Sequence, residues 1–134
     1  MIRFMPIFSD NALFQQLSVL TIRGFANPLA ALKASILTEY GVCVSSSTAT
    51  ADSDGAFSVA LQTPKGSFDR FVIRVADGTE TKEIYNVQFG ELWISSGQSN
   101  MELANHFQPE FEDMMRDIHD MSFRVYFQDC PDIP

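Results

Sequence analysis

The 134-residue sequence has too little of several residue types to belong to some large classes of protein. Seven glycines and six prolines are too few for a collagen-like or proline-rich chain. No apolar run approaches the ~20 residues of a membrane-spanning helix, and the first residues lack the continuous apolar segment of a signal peptide. With 46% hydrophobic and 19% charged residues, the composition is instead that of a folded globular domain.

Basic charge is also scarce, and its distribution argues against nucleic acid and anionic membranes as partners. Residues 1–85 carry 7 basic and 8 acidic side chains, whereas residues 86–134 carry 2 basic and 9 acidic ones. A nucleic-acid-binding protein needs a basic face that neutralises phosphates. The second part of the chain has too few lysines and arginines to form such a face.

Cysteine is rare, and its spacing does not suggest a metal site. Cys43 and Cys130 stand far apart without a CxxC or Cys/His pattern, so we expect two buried free thiols rather than a zinc site or a disulfide scaffold. Residues 52–55 match only part of a calcium-loop pattern, and a turn is expected there. We therefore expect neither a metal ion nor another cofactor.

The first two-thirds of the chain has the period-2 alternation of short β-strands, separated by turn residues at the spacing of a β-sandwich. The jelly-roll and immunoglobulin-like types both remain open. Strands are predicted at residues 17–23, 32–38, 56–61, 71–75 and 85–89. In the last three, the side chains predicted to share one face are Phe57, Val59, Leu61, Phe71, Ile73, Val75, Tyr85, Val87 and Phe89. Asp77-Gly78 predicts a further turn.

The pattern changes near Gly90, and we place a domain boundary at about Val87. Residues 92–94 are apolar throughout and predict a strand covered on both faces, with Trp93 in the core. A helix is predicted to begin at Pro109, and a further strand is predicted at residues 123–127. The fold prediction is therefore a β-sandwich domain in residues 1–87, followed in residues 88–134 by the incomplete β-α-β start of an α/β domain.

Ser99 is the strongest candidate for a catalytic residue. It lies in a turn between a predicted buried strand and a predicted helix, at the edge of the sheet where α/β folds bind ligands. Gly97 permits a close backbone approach, and the Ser99 amide can donate to an oxyanion. We expect Gln98 and Asn100 to hold the loop by side-chain hydrogen bonds. The pattern Gly-x-Ser is also common in ordinary turns, and a turn without chemistry is the alternative.

Residues 90–101 resemble the nucleophile segment of the sialate O-acetylesterase family of carbohydrate esterases, within the SGNH hydrolase superfamily. Residues 6–11, the Gln15-Gln16 pair, residues 24–26 and residues 48–59 are similar to the β-sandwich that precedes the catalytic domain in that family. Residues 123–127 are similar to its second catalytic-domain strand. The resemblance covers nearly the whole chain, but only the first portion of the family's length.

The resemblance implies a serine esterase that removes O-acetyl groups from sugars, with Ser99 as the nucleophile. It places the family's other oxyanion donors and its Asp-x-x-His base in later segments that this sequence does not contain. His106 and His119 are the only histidines, and we expect a solvated or locally bonded role for each. The general base would then come from outside this chain. The sequence itself leaves open a cytosolic protein or one whose signal peptide has been removed, and a periplasmic or extracellular location is implied by the resemblance alone.

Two kinds of partner follow from this interpretation. The substrate would be an O-acetylated carbohydrate. The missing C-terminal catalytic portion would cover the apolar strands at residues 92–94 and 123–127, and without it these strands would promote self-association. The competing hypothesis is a noncatalytic β-sandwich module that binds sugar or protein, in which exposed aromatic residues such as Phe68 or Phe71 matter more than Ser99.

Overall fold

A computed structural model describes residues 1–94 and Arg124. Residues 1–94 contain eight β-strands. No helix lies in the part of the chain that the structure describes, and accordingly none there could cross a membrane. The strands are β1 (Arg3–Phe4), β2 (Leu13–Gln15), β3 (Val19–Phe25), β4 (Ala31–Thr38), β5 (Cys43–Thr50), β6 (Ala56–Gln62), β7 (Phe71–Ala76) and β8 (Thr81–Gly90).

The strands form two sheets that enclose one hydrophobic core. Three strands pair in the order β1–β3–β6, and five pair in the order β2–β8–β7–β4–β5. Neighbouring strands are antiparallel, apart from β2, which is parallel to β8. A single cluster contains buried side chains from both sheets, among them Ile22, Val59, Leu61, Ile36, Ile73, Ile84 and Phe89. The predicted β-sandwich is confirmed for the described residues.

The β-α-β part of the predicted fold falls almost entirely outside the described residues. The first compact unit runs from Met1 to Leu92. Val87, the predicted boundary, lies inside β8, which continues to Gly90. The assignment of residues 88–134 to a second domain stays a prediction.

The period-2 pattern correctly identifies the inward face of β6 and β7. Their alternate apolar side chains are at most 5% exposed: Phe57, Val59, Leu61, Phe71, Ile73 and Val75. The intervening residues of β6 are exposed. Burial of one face of each sheet is what a two-layer β-sandwich requires.

The prediction for Tyr85 is wrong, because β8 contains a β-bulge. Ile84 and Val87 of β8 each pair with a residue of β7. Two residues of β8 lie between them, whereas only one residue of β7 lies between their partners. Asn86, in the bulge, adopts a positive φ of 54°. A bulge shifts the alternation by one residue, so Ile84 and Val87 are both buried whereas Tyr85 is 52% exposed.

The prediction for residues 92–94 is also wrong. These residues form no strand, and Trp93, which was expected in the core, is 85% exposed. A strand covered on both faces needs neighbouring strands and covering helices. No element among residues 1–90 pairs with this run.

Cys43 is free and exposed, which corrects the expectation of a buried thiol. It begins β5, the outermost strand of the five-stranded sheet. Cys130 lies outside the described residues. The two predicted turns are present: Gly55 and Gly78 adopt positive φ angles of 85° and 86°. At the first turn, a carboxylate oxygen of Asp52 accepts two backbone amides, one in the turn and one at the start of β6.

Close packing at Gly24 joins β1 to β3. A Cβ atom at this position would lie 2.2 Å from the Arg3 carbonyl oxygen and 2.9 Å from the Phe57 ring. Gly24→Ala is expected to lower the free energy of unfolding by about 2–3 kcal/mol, because backbone or ring must move. Denaturant titration measures this loss. Gly90→Ala is the control, since its Cβ would meet only Leu13 at 3.5 Å, and an equal loss in both variants would contradict the explanation.

Candidate functional site

The predicted nucleophile segment lies outside the described residues. This applies to Gly97, Gln98, Ser99 and Asn100, to both histidines, and to the strand predicted at residues 123–127 apart from Arg124. Their roles stay predictions. The structure does describe the chain that leads toward Ser99, up to residue 94, and the residues that hold this chain at its start.

The end of β8 is fixed by β2, which lies parallel to it. Leu13, Phe14 and Gln15 are paired with residues 88–90. One residue further, the Gln16 amide donates to the Gly90 carbonyl oxygen at 2.9 Å. This pairing brings the side chains of Gln15 and Gln16 beside the residue that follows β8.

Gln15, Gln16 and Glu91 form a hydrogen-bonded cluster, which we call the glutamine clamp. Gln15 Nε2 donates to Glu91 Oε2 at 3.1 Å, and Gln16 Nε2 donates to Glu91 Oε1 at 2.6 Å. Each carboxylate oxygen of Glu91 therefore accepts a hydrogen bond from a different glutamine. The clamp links two parts of the chain that are about 75 residues apart.

The side-chain oxygens of the two glutamines accept backbone amides. Gln15 Oε1 accepts the Leu92 amide at 2.9 Å. Gln16 Oε1 accepts the Gly66 amide, in the loop between β6 and β7, at 2.7 Å. Because each amide group is used at both its oxygen and its nitrogen, its orientation is defined by its partners.

The clamp binds the ionised form of Glu91. Hydrogen bonds from Gln15 and then Gln16 lower the pKa of the Glu91 carboxyl below its usual value of 4.5. Amide donors favour a carboxylate over a carboxylic acid, since the carboxylate accepts at both oxygens. The clamp therefore holds a negative charge at the first residue after β8.

The described domain is expected to lose stability in acid. Besides Glu91, the pKa of Asp77 is lowered by backbone amides of Thr79 and Glu80, and that of Glu83 by the Tyr85 hydroxyl. A lowered pKa contributes stability above the unfolded-state pKa, and this is lost as the pH falls through the folded-state pKa. Denaturant titrations between about pH 6 and pH 3 should show this decrease. Constant stability across this range would contradict it.

The two aromatic residues named for the noncatalytic hypothesis lie in different environments. Phe68 is 81% exposed, and its carbonyl oxygen accepts a hydrogen bond from the buried Gln88 side chain at 3.1 Å. Phe71 is buried and packs edge-on against Phe89, with ring centroids 5.1 Å apart. Phe71 is therefore too buried to contact a ligand, whereas contact of Phe68 with a ligand stays a prediction.

Comparisons with known proteins give one informative result. No family model matches the sequence, and no curated protein matches it. Among solved structures, a carbohydrate acetylesterase from Xanthomonas citri matches with a TM-score of 0.76 and 22% identity, over 90% of this chain and 26% of that chain. WR4, a C. elegans member of the MSP family, reaches a TM-score of 0.33 at 16% identity, over 69% of this chain and 98% of its own. This second score is too low to support an argument.

The fold of this chain is therefore similar to that of part of a carbohydrate acetylesterase. The chain spans about a quarter of the length of the Xanthomonas citri protein, 26%. An identity of 22% shows the shared fold alone. Activity and substrate are matters of chemistry at the site.

Proposed function

We propose that this chain is the N-terminal portion of a serine carbohydrate esterase that hydrolyses O-acetyl esters on sugars, as sialate O-acetylesterases do. The observation that carries the proposal is the fold likeness to a carbohydrate acetylesterase over 90% of the chain. The motif Gly97-Gln98-Ser99-Asn100 supports it independently, because it follows the sandwich in the sequence, as in the family that it resembles.

In the proposed reaction, the Ser99 hydroxyl oxygen attacks the carbonyl carbon of the acetyl ester. A general base from outside this chain takes the hydroxyl proton, and the carbonyl electrons move onto the oxygen. The Ser99 backbone amide donates to the resulting oxyanion. When the tetrahedral intermediate collapses, the bond to the sugar oxygen breaks, and that oxygen takes the proton from the base. Ser99 is left acetylated.

Hydrolysis of the acetyl-serine completes the cycle. The same base takes a proton from water, and the water oxygen attacks the acetyl carbonyl carbon. Collapse of the second intermediate releases acetate and returns the proton to Ser99. Gly97, Gln98 and Asn100 support the loop that carries the nucleophile. No metal ion or organic cofactor takes part in this scheme, and the base is assigned to the missing C-terminal catalytic portion.

Acetate release from O-acetylated sugars tests the proposal. The protein is purified from its native cells, so that any further part of the protein accompanies the chain. We expect equal amounts of acetate and deacetylated sugar. The matched N-acetylated sugar is the control and should remain intact, because an amide is a much poorer acyl donor. Sugar binding without acetate release would contradict the proposal and support the noncatalytic module, with Phe68 as its exposed aromatic residue.

A further inference from the structure

We infer that the glutamine clamp is a positioning device for the segment that carries Ser99, and that Gln15 and Gln16 are positioning residues of the esterase. The inference rests on the proposed function for the chemistry assigned to Ser99. The geometry of the clamp is independent of that assignment, because all its contacts lie within the first compact unit, Met1–Leu92.

Three consecutive residues, from Gly90 to Leu92, are held by the same pair of glutamines. Gly90 accepts the Gln16 amide, Glu91 accepts both side-chain nitrogens, and Leu92 donates to Gln15 Oε1. In a β-ladder, by contrast, the backbone hydrogen bonds to one neighbouring strand hold only every second residue. The side chains of the two glutamines therefore restrain the chain for two residues beyond the end of β8.

The clamp is itself held in place by a third segment of the chain. The Gly66 amide fixes Gln16 Oε1 at 2.7 Å. A Cβ atom at position 66 would lie 2.9 Å from Gln16 Oε1 and 3.0 Å from the Phe89 carbonyl oxygen. The loop between β6 and β7 therefore approaches so closely that only glycine fits without a shift, and the orientation of Gln16 is set from a third segment of the chain.

The chemistry of the cluster also fits a positioning role. Its hydrogen bonds between the half-buried glutamines and the exposed Glu91 are open to solvent, and such bonds add little to stability, because water competes for the same groups. They are directional, however, and the two glutamines fix both oxygens of one carboxylate. The cluster is therefore better suited to fixing the direction of the chain after β8 than to stabilising the fold.

The direction of the chain at Leu92 matters for the proposed reaction. Ser99 follows Leu92 by only seven residues. A displacement of a reacting group by about 1 Å can lower a rate by about 10²-fold. Release of the chain at residues 90–92 is therefore expected to lower the reactivity of Ser99, although no residue of the clamp touches the reacting atoms.

A charge exchange across the clamp provides the test. Gln16→Glu places a second carboxylate against Glu91, and the two charges repel. In the double variant Q16E/E91Q, the introduced carboxylate accepts both the Gly66 amide and the introduced amide at position 91. The oxygen of that introduced amide still accepts Gln15 Nε2. All the side-chain hydrogen bonds of the clamp are thereby restored, and the negative charge lies at position 16 instead of position 91.

The first readout is hydrogen exchange in the 134-residue chain. We expect Gln16→Glu to accelerate exchange of the Leu92 and Gly66 amides by about tenfold or more, and the double variant to return both to near the wild-type rate. Gln62→Glu is the matched control, because Gln62 is an exposed glutamine at the end of β6. This control should leave both amides unchanged.

The second readout is ester hydrolysis by the same variants produced in the native cells. Gln16→Glu is expected to lower kcat about tenfold or more with KM nearly unchanged, and the double variant to restore kcat. A merely structural role would reduce the amount of folded protein and leave kcat per folded molecule constant.

Three results would overturn the inference. These are unchanged exchange of the Leu92 amide in Gln16→Glu, altered exchange with unaltered kcat, and a double variant that remains as impaired as the single one. Failure of the proposed function looks different: the wild-type protein hydrolyses no ester at all. In that case the positioning role fails with it, whereas exchange at Leu92 and Gly66 still measures the restraint on residues 90–92.

Discussion

Substitution of Ser99 by alanine is expected to lower ester hydrolysis by the native protein by at least about 10⁴-fold. The reason is that alanine has no hydroxyl group, so the acetyl-serine of the proposed mechanism cannot form. The backbone amide at position 99 remains in place and can still donate to an oxyanion. Residual hydrolysis would therefore come only from attack by water. Steady-state release of acetate measures the loss.

Ser96→Ala is the matched control, since Ser96 lies in the same segment without belonging to the motif. We expect this variant to retain most of the wild-type activity. Thermal unfolding of both variants checks that neither substitution acts through the fold. If Ser99→Ala keeps more than about a tenth of the wild-type rate, Ser99 is not the nucleophile.

Phe89→Ala is expected to lower the free energy of unfolding by about 3–5 kcal/mol. Phe89 is 1% exposed, and it packs against Phe71 at 5.1 Å and Phe14 at 6.5 Å between ring centroids. Truncation would remove this aromatic packing and leave a cavity at the junction of β2, β7 and β8. Because Phe89 immediately precedes Gly90 and the clamp, the same change would weaken the support for the chain that leads to Ser99.

Phe68→Ala is the control for Phe89→Ala. Both are phenylalanines near the same end of the five-stranded sheet, but Phe68 is 81% exposed. Its replacement should change the free energy of unfolding by less than about 0.5 kcal/mol. Guanidinium titrations of the two variants give the comparison. A loss below about 1 kcal/mol for Phe89→Ala would show that the ring is not part of a close-packed core.

The strands that could be predicted from the sequence are those with one apolar and one polar face. β6 and β7 have this pattern, and their inward residues were identified correctly. β5 was missed because it consists mainly of serine, threonine and other small residues, and neither of its faces is deeply buried. Its existence depends on pairing with β4, which leaves no periodic signal in the sequence of β5 itself.

Features that depend on distant parts of the chain were also missed. The bulge at Asn86 reverses the direction of Tyr85, and period-2 reasoning cannot locate such an insertion. The clamp joins Gln15 and Gln16 to Glu91 across about 75 residues. The sequence indicates the glutamine pair only through the family resemblance. Its contact with Glu91 depends on the parallel pairing of β2 with β8, which places the glutamines beside that residue.

The central claim is that Ser99 is the nucleophile of an esterase whose base lies outside this chain. Intact-mass spectrometry of the protein from its native cells, with and without a fluorophosphonate probe, tests this claim most directly. We expect a chain larger than 15.0 kDa or a second associated chain, with one probe adduct that peptide mapping assigns to Ser99. A 15.0 kDa chain alone that remains unlabelled would contradict it.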